Sequence, residues 1–244
     1  MITIILIYYN RQGLLNKTLE SFLKYDPDEF NVIVVDNGSD NVVEIPSLPY
    51  HVTRVRINHK KYGHCSFSFN VGFHQAMKNN SEVIIFQGAE MYHYGNILSR
   101  TKTITDKEYL TFGCYSLSEN ETPESFTIKN KCMTFDGESA WYNHSIYRPV
   151  AYPFCAALTK ENIKKLNGFD ERFIQGCGFE DNYFLHQTKS LGLKTIIVDD
   201  TVVLHQWHKH NFPEQAAWNR NKNLYEALKK TSEFKAKHEV TPNL

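Results

Sequence analysis

The feature that most constrains the fold is a continuous apolar run near the start of the sequence, Ile2–Tyr8. Apolar, β-branched residues without alternation are typical of a strand that is covered on both faces, as in a parallel sheet. An amphipathic helical pattern follows over residues 14–23, and a second apolar run occupies Asn31–Val35. Strand, helix and strand at this spacing predict a βαβ unit. The chain is therefore expected to form an α/β fold with a mixed, mostly parallel central sheet flanked by helices.

Polar residues follow both of these predicted strands. They are Tyr8–Arg11 after the first strand and Asp36–Asp40 after the second. Ligands of open α/β sheets bind beyond the carboxyl ends of the strands, so this edge of the sheet is the expected binding site. The carboxylate of Asp36 is well placed to bind a ribose or a base edge. The segment 37–40 is also an ordinary turn sequence, but a turn explains only Gly38 and not the polarity of both strand ends.

The rest of the sequence alternates predicted strands and helices, with one long irregular stretch at residues 118–148. A loop of that length is usually functional or mobile, and its aromatic residues suit either stacking on a sugar ring or ordinary loop packing. The residues after 230 are expected to be disordered. The predicted strands are His51–Ile57, Glu82–Phe86, Glu108–Leu117, Pro153–Thr159 and either Lys194–Val198 or Val202–Leu204, and the predicted helices are Phe67–Lys78, Tyr94–Ile104, Lys160–Leu166 and Ala216–Lys230.

A glycine-rich stretch, residues 166–182, brings two adjacent carboxylates, Glu180 and Asp181, to the start of a predicted helix. Its glycines allow sharp turns that other residues resist. Asp181 begins a helical stripe that continues through Phe184 and ends before Gly192. Asp181 is therefore expected to point inward, where backbone N–H groups and the helix dipole favour its ionised form. The alternative is a simple helix cap, since aspartate is common at that position.

A carboxylate and several imidazoles follow two other predicted strands. Glu90 and His93 come after the strand at residues 82–86, and His205, His208 and His210 follow the last strand. Neutral imidazole binds divalent cations well, so these histidines indicate a metal site. The alternative is a group of surface histidines that are close in sequence by chance.

Charge and cysteine content narrow the class of protein. Lysine plus arginine and aspartate plus glutamate each number 27, so no general attraction to nucleic acid or anionic membranes is expected. The basic run at residues 59–61 is expected to be a solvated turn. The five cysteines are scattered and lack metal-type pairs, which predicts reduced thiols in a cytoplasmic protein. The apolar start lacks the basic residues of a secretory signal and is too short to span a bilayer.

Four segments together resemble glycosyltransferase family 2 and its relatives with the GT-A fold, over residues 2–210. The most specific one is similar to the Gly-x-Gly-Phe-Glu-Asp loop of galactosyltransferases and polypeptide N-acetylgalactosaminyltransferases. The resemblance indicates a fold and a reaction class but not a substrate. The four segments are Ile7-Tyr8-Tyr9-Asn10-Arg11, Val34-Val35-Asp36-Asn37-Gly38-Ser39, Asn70-Val71-Gly72, and Asn167-Gly168-Phe169-Asp170-Glu171 with Gly178-Phe179-Glu180-Asp181.

The resemblance implies an enzyme that moves a sugar from a nucleotide diphosphate donor to a hydroxyl group of a growing glycan or polysaccharide. A UDP-sugar is the expected donor, and a hexosyl or N-acetylhexosaminyl group is expected to be transferred. Asp181 is the implied general base, which inverts the anomeric centre, and Glu180 binds the acceptor. Asp36 holds the uracil or the ribose. The residues implied in nucleotide-sugar binding are Tyr8, Asn10, Arg11, Asp36, Asn37, Asn70 and Gln87.

The resemblance also implies one GT-A domain over residues 1–244. Its parts are a nucleotide-sugar-binding half at residues 1–100, an acceptor and catalytic half at 101–210, and a helix with a tail at 211–244. By analogy with surface polysaccharide assembly, we expect a cytoplasmic enzyme with peripheral association at the inner face of the membrane. Its acceptor is then a glycan or a lipid-linked saccharide, and nucleic acid is not a partner.

The sequence departs from the family where a metal ligand is expected. Most members carry Asp-x-Asp after the strand at residues 82–86, whereas this chain has Gln87-Gly88-Ala89-Glu90. The expected ligands of Mn²⁺ or Mg²⁺ are therefore Glu90, His205 and the donor phosphates, and histidine favours Mn²⁺. His208 is a secondary candidate as a ligand or a phosphate contact. Phe69 replaces a family arginine, which removes one phosphate contact.

Three alternatives stay open on the sequence. A metal-independent enzyme could use the charge of lysine or histidine in place of the cation. A catalytically degenerate module could bind a nucleotide sugar or a glycan without chemistry, as the altered Asp-x-Asp suggests. A nucleotidyltransferase shares the βαβ sheet, but it needs a glycine-rich loop after the first strand, and residues 7–13 contain a single glycine.

Overall fold

The computed structural model describes residues 1–58, 65–133, 137–209 and 214–244. Within these residues, nine strands form one sheet, and the first five of six α-helices pack on its two faces. The sixth helix packs on the fifth and on the loop before it. The strands are β1 (Ile2–Tyr8), β2 (Phe30–Asp36), β3 (Val52–Arg56), β4 (Val83–Gly88), β5 (Met91–His93), β6 (Glu108–Ser116), β7 (Ala140–Asn143), β8 (Cys155–Thr159) and β9 (Lys194–His205). The helices are α1 (Gln12–Glu20), α2 (Cys65–Met77), α3 (Ile97–Thr101), α4 (Lys160–Leu166), α5 (Glu180–Ser190) and α6 (Gln215–Leu228).

The sheet is mixed, with the strand order β3-β2-β1-β4-β8-β6-β9-β5, and β7 pairs with β6. Strands β1 to β4 are parallel to their neighbours in this group, and β6 is parallel to β9. Strand β8 is antiparallel to both β4 and β6 and joins the two parallel groups. The predicted α/β fold with a mostly parallel sheet is confirmed.

The register of the parallel strands brings their carboxyl ends to one edge. Tyr8 of β1 is paired with Asp36 of β2, and Ile7 is paired with Gly88 of β4. The polar residues that follow these strands therefore lie side by side, as expected for a ligand site of an open sheet.

Alternating residues of the central strands pack on opposite faces. Ile4 and Leu6 of β1 contact the cluster that includes Leu15 of α1, whereas Ile5 belongs to the cluster on α2. The second cluster contains a group of phenylalanines whose neighbouring ring centroids lie between 4.3 and 6.3 Å apart. A buried phenylalanine contributes about 3–5 kcal/mol relative to alanine, so this group fixes how the helices lie on the sheet. Its members are Phe69, Phe73, Phe86, Phe169 and Phe184.

Most predicted elements are present, with corrections where strands are short or interrupted. The two alternative last strands are parts of one strand, β9, whose pairing with β6 shifts register between Phe112 and Gly113. The helix predicted over residues 94–104 is only the five-residue α3. Strand β5 was not predicted, because three residues are too few to show a period. The irregular stretch at 118–148 contains the short strand β7.

The expectation of disorder after residue 230 is wrong. Ala236 is buried, and its backbone N–H donates to Leu166 O at 2.8 Å. The backbone N–H of Leu244 donates to Asn167 Oδ1 at 2.7 Å. Buried polar side chains of a distant loop thus hold this polar segment, and local composition carries no sign of such long-range partners.

Across the described ranges, no helix combines the length and the apolarity needed to cross a membrane. The basic run at residues 59–61 and His210 lie outside the described residues.

Candidate active site

A cleft of about 280 Å³ opens at the edge of the sheet where β1, β2 and β4 end. The start of α5 and the segment before β8 form its opposite wall. The expected site residues that line it are Tyr8, Arg11, Asn37, Glu90 and Asp181, together with Gly88, Pro153 and Phe154. The structure therefore brings the proposed metal ligand and the proposed base into one cavity.

Glu90 is surrounded by cationic and imidazole groups. Its Oε1 atom lies 3.2 Å from Arg11 Nη1, 3.8 Å from His205 Nε2 and 4.0 Å from His208 Nε2. The pairing of β5 with β9 creates this arrangement, because Met91, next to Glu90, is opposite His205. A Cβ atom on Gly88 would lie 2.7 Å from Glu90 Oε1, so glycine leaves the room that the carboxylate occupies.

The electrostatics of this cluster keep Glu90 ionised. Burial raises the pKa of Glu90, but His205, Arg11 and His208 together lower it below its usual value. One ligand atom from each of Glu90, His205 and His208 can lie within 4.8 Å of the other two. One carboxylate oxygen and two imidazole nitrogens at this spacing fit a divalent cation such as Mn²⁺. The secondary candidate His208 thus joins the two expected ligands.

Glu180 and Asp181 are the first two residues of α5, and Phe179 precedes them with a left-handed backbone (φ +66°). Among the described residues, no side chain forms a capping hydrogen bond at the start of this helix, so the interpretation of Asp181 as a simple cap is wrong. Gly178 also has a positive φ of 71°, and a Cβ atom there would lie 2.8 Å from the Trp218 ring. The glycine allows both the turn and the close approach of Trp218 to the loop.

Asp181 is half-buried, and its surroundings disfavour its charge. Burial, and then the neighbouring charge of Glu180, raise the pKa of Asp181 well above its usual value. The expectation that the helix dipole favours the ionised form is therefore wrong in its net effect, because desolvation and a like charge outweigh the dipole. Cys65 Sγ lies 3.8 Å from Glu180 Oε1, and burial followed by the charge of Glu180 raises the pKa of this thiol. Asp181 is thus more basic than an ordinary aspartate.

Asp36 is completely buried beneath the cleft. Its carboxylate accepts hydrogen bonds from Ser39 N at 2.9 Å and from Arg56 Nη1 at 2.6 Å. It fixes the turn that presents Asn37, whose buried Oδ1 has no hydrogen-bond partner among the described residues. The structure therefore favours Asn37 as the contact at this strand end and gives Asp36 a supporting position.

Asn10 lies beside a second cavity that shares Tyr8 with the cleft. Its side-chain amide exchanges two hydrogen bonds with Asp40, at 2.9 Å to Oδ2 and 3.0 Å from the backbone N–H. Asn10 has a positive φ of 51°, a conformation that asparagine tolerates better than most residues. The side chain thus closes the two strand-end loops on each other at the rim of the cleft.

Two expected nucleotide contacts need correction, because their side chains are buried and engaged elsewhere. Asn70 donates to Phe169 O at 2.8 Å and to Glu171 Oε1 at 3.0 Å. Gln87 donates to Met91 O at 2.8 Å and pairs with His93 Nε2 at 2.8 Å. Both residues hold loops that border the cleft, and neither lines it.

Trp218 was not predicted as a site residue. It lies on α6, is 41% exposed and packs against Phe179, with 4.8 Å between ring centroids. Asn221 fastens α6 to the same loop by donating to Phe173 O at 3.0 Å and to Gly178 O at 2.9 Å. A helical pattern alone does not indicate which loop such a helix covers, so no sequence signal identified this residue.

Comparisons with known proteins agree with this fold. Residues 3–93 match the family model described as glycosyl transferase family 2. No curated protein sequence matches the chain significantly. The structure of S. aureus TarS 1–349 in complex with UDP-GlcNAc is similar, with a TM-score of 0.60 and 14% identity over 86% of this chain and 59% of that one.

Two other solved structures are also similar. The mannosyltransferase PcManGT from Pyrobaculum calidifontis, in complex with GDP-Man and Mn²⁺, gives a TM-score of 0.56 at 15% identity, over 93% of this chain and 62% of that one. GalNAc-T7 with UDP, GalNAc and Mn²⁺ gives 0.66 at 12% identity, over 93% and 50%.

The chain spans between 50% and 62% of the length of these three structures. At such identities the likeness establishes the fold. The chain therefore has a GT-A fold, and residues 3–93 carry the sequence pattern of glycosyl transferase family 2.

Proposed function

We propose that the protein is a glycosyltransferase that moves a sugar from a nucleotide diphosphate donor to an acceptor hydroxyl, with inversion at the anomeric carbon. The observation that carries this proposal is the meeting of two chemically different carboxylates, Glu90 and Asp181, in one cleft at the carboxyl edge of the sheet. The match to glycosyl transferase family 2 and the nucleotide-sugar complexes of similar structures support it.

The donor is a UDP-sugar, with a hexosyl or N-acetylhexosaminyl group. Tyr8 and Asn37 line the cleft beside the second cavity, where a nucleoside can be bound. The unsatisfied Oδ1 of Asn37 can accept a hydrogen bond from a base or a ribose hydroxyl. Arg11, whose side chain is 36% exposed, can turn toward a phosphate while remaining near Glu90.

Glu90, His205 and His208 are the residues that would hold Mn²⁺ or Mg²⁺. Such an ion would neutralise negative charge on the departing diphosphate. The chain itself keeps Glu90 ionised through its cationic neighbours, so the ligand is ready at neutral pH. Arg11 adds a positive group beside the same carboxylate and can share the stabilisation of the leaving phosphate.

Asp181 is the general base of the proposed reaction. A carboxylate with a raised pKa is a better proton acceptor than an ordinary one when an acceptor hydroxyl attacks the donor sugar. A single base facing the anomeric carbon from the side opposite the leaving diphosphate gives inversion. Glu180 raises the basicity of Asp181. We assign Glu180 to acceptor binding because it precedes the proposed base in the chain.

The acceptor is a glycan or a lipid-linked saccharide. The exposed ring of Trp218 lies against the loop that carries Glu180, and an aromatic face at the rim suits the apolar face of a sugar ring. The proposal includes a division of the chain into a donor half (1–100), an acceptor half (101–210) and a helix with a tail (211–244). It also includes a cytoplasmic location at the inner face of the membrane.

Titration calorimetry with UDP, with and without Mn²⁺, followed by a transfer assay, tests the proposal. We expect UDP to bind more tightly in the presence of Mn²⁺ and a UDP-sugar to be consumed when saccharide acceptors are added. A thermal-shift screen of UDP-, GDP- and dTDP-sugars identifies the nucleotide, because a ligand that binds the folded state raises its stability. Binding of UDP without turnover on any acceptor would favour a degenerate binding module.

A further inference from the structure

A second ionised site lies outside the cleft, around the side chain of Glu171. Glu171 is completely buried, in a short 3₁₀ turn within the loop that precedes α5. Its Oε2 atom accepts hydrogen bonds from three successive backbone N–H groups, of Glu239 at 2.9 Å, Val240 at 2.7 Å and Thr241 at 3.1 Å. Successive N–H groups of this kind form an anion-binding concavity, and hydrogen bonds to a charged acceptor are about twice as strong as neutral ones.

The other carboxylate oxygen joins the same site to helix α2. Glu171 Oε1 accepts hydrogen bonds from Asn70 Nδ2 at 3.0 Å and from the hydroxyl of Thr241. Asn70 in turn holds the backbone of Phe169 in both directions, at 2.8 Å to its carbonyl and at 2.9 Å from its N–H. One carboxylate therefore connects α2, the loop before α5 and the residues around 240.

Further bonds attach the same segment, residues 233–244, to the same loop. Asp170 Oδ2 accepts the backbone N–H of Lys237 at 3.0 Å, and Arg172 bridges Asp170 and Glu233 at 2.7 and 2.8 Å. Asn167 donates to Ala236 O at 2.8 Å. We call residues 233–244 the tail segment. The tail segment is therefore hydrogen-bonded to the loop from Asn167 to the 3₁₀ turn.

The charge of Glu171 makes this attachment strong at neutral pH. Burial raises the pKa of Glu171, but the bonds from Asn70, Thr241 and the backbone around Val240 lower it below its usual value. The stabilisation is thus fully present above the pKa of the unfolded chain. It is lost as the pH falls through the lowered folded value.

The loop that Glu171 holds also fixes the start of α5. The Phe169 ring stacks on Phe184 of α5 with 4.3 Å between centroids, and Phe173 packs on Tyr183 at 5.5 Å. A displacement of the loop must therefore shift the first turn of α5, where Asp181 lies. A shift of about 1 Å at a reacting group can cost about a hundredfold in rate.

We propose that Glu171 is a positioning residue, which uses the tail segment and Asn70 to hold the loop at residues 167–179 so that Asp181 faces the cleft. The catalytic part of this inference rests on the proposed function. The structural part does not, because the attachment of the tail segment can be measured without any substrate.

The test compares Val240→Pro with Val240→Ala in the full chain. The Val240 side chain is exposed, so alanine leaves the backbone donor in place, whereas proline removes the N–H that lies 2.7 Å from Glu171. Glu171→Gln is the complementary change on the acceptor side. We expect proline and glutamine to accelerate hydrogen exchange of the amides at residues 169–185 about tenfold, and alanine to leave it unchanged.

Two further readouts and one further variant separate positioning from simple stabilisation. In Val240→Pro we expect kcat per folded molecule to fall about tenfold while KM for the donor stays within about twofold. We also expect the pKa of Asp181, followed by NMR of its carboxyl carbon, to move toward its ordinary value as the loop opens to water. Thr241→Val, which removes only the hydroxyl donor, is expected to give a smaller change in the same direction.

Unchanged exchange in both Val240→Pro and Glu171→Gln would overturn the attachment. Faster exchange with an unchanged Asp181 pKa would overturn the positioning role and leave a purely structural one. If the wild-type chain has no transferase activity, the proposed function fails, whereas exchange and the Asp181 titration still decide this inference. Should Glu171→Gln not fold, the Val240 pair carries the test alone.

Discussion

The two carboxylates of the cleft, Glu90 and Asp181, have opposite environments. Glu90 lies among Arg11, His205 and His208, which lower its pKa despite burial. Asp181 is desolvated beside the negative Glu180, and its pKa is raised. The difference shows how one cavity can hold two carboxylates of different character, one that stays anionic and one that readily accepts a proton. Pairs of carboxylates whose pKa values are pushed apart are typical of sites that use acid–base chemistry.

The largest effect is expected from the substitution of Asp181. Asp181→Asn removes the base, so kcat should fall about 10²–10⁴-fold. Because asparagine is nearly isosteric, the affinity for UDP with Mn²⁺ should stay within about twofold. Transfer assays and calorimetry on the same preparation measure both quantities. Normal turnover of this variant would show that the base is another group.

The second-largest effect is expected from the substitution of Glu90. Glu90→Gln removes the carboxylate from the candidate metal site, so Mn²⁺-dependent UDP binding should weaken at least about tenfold. Asp181→Asn should not have this effect, which separates the two carboxylates. The exposed Glu119→Gln is the matched control, since it changes the same chemistry on the surface. Equal UDP affinity in Glu90→Gln and the control would argue for the metal-independent enzyme.

A smaller effect is expected at Trp218, which packs against the loop that carries Asp181. Trp218→Ala should raise KM for a saccharide acceptor about two- to tenfold, because the exposed ring offers a stacking face. Trp218→Phe should recover most of the loss. The donor KM should not change in either variant, since Trp218 does not line the cleft near Glu90. A change in donor KM alone would place the acceptor elsewhere.

The smallest expected effect is a shift of the pH profile in Glu180→Gln. The base must be deprotonated, so activity should rise with pH as Asp181 loses its proton. Removing the negative charge of Glu180 lowers the pKa of Asp181, and the acidic limb should move to lower pH, by up to about one unit. Measurements of kcat at saturating acceptor remove the contribution of Glu180 to acceptor binding. A limb that moves to higher pH would contradict the charge coupling.

The sequence predicted the parts of the fold that depend on local pattern. The run Ile2–Tyr8 and helix Lys160–Leu166 were correct to the residue, because unbroken apolar runs and helical periods are local signals. The strand ends at Tyr8 and Asp36 were correctly expected to meet, since the register of parallel strands follows from their topology. The expected association of Glu90 with His205 is also observed, at 3.8 Å.

The parts that the sequence did not predict depend on long-range partners. Asn70 and Gln87 are polar residues near the site, but only the folded chain shows that Glu171 and His93 engage them. The net pKa of Asp181 depends on burial, which outweighs the dipole of its own helix. The order of residues 233–244 depends on the same buried Glu171. In each case the deciding energy comes from a group that is distant in sequence.

A crystal structure of the chain with Mn²⁺ and an unreactive UDP-sugar analogue tests the central claim most directly. The account predicts an anomalous Mn²⁺ peak within about 2.0–2.3 Å of a Glu90 oxygen and of the His205 and His208 nitrogens, with the Asp181 carboxylate facing the anomeric carbon from the side away from the diphosphate. A donor bound outside this cleft, or an anomeric carbon turned away from Asp181, would contradict it.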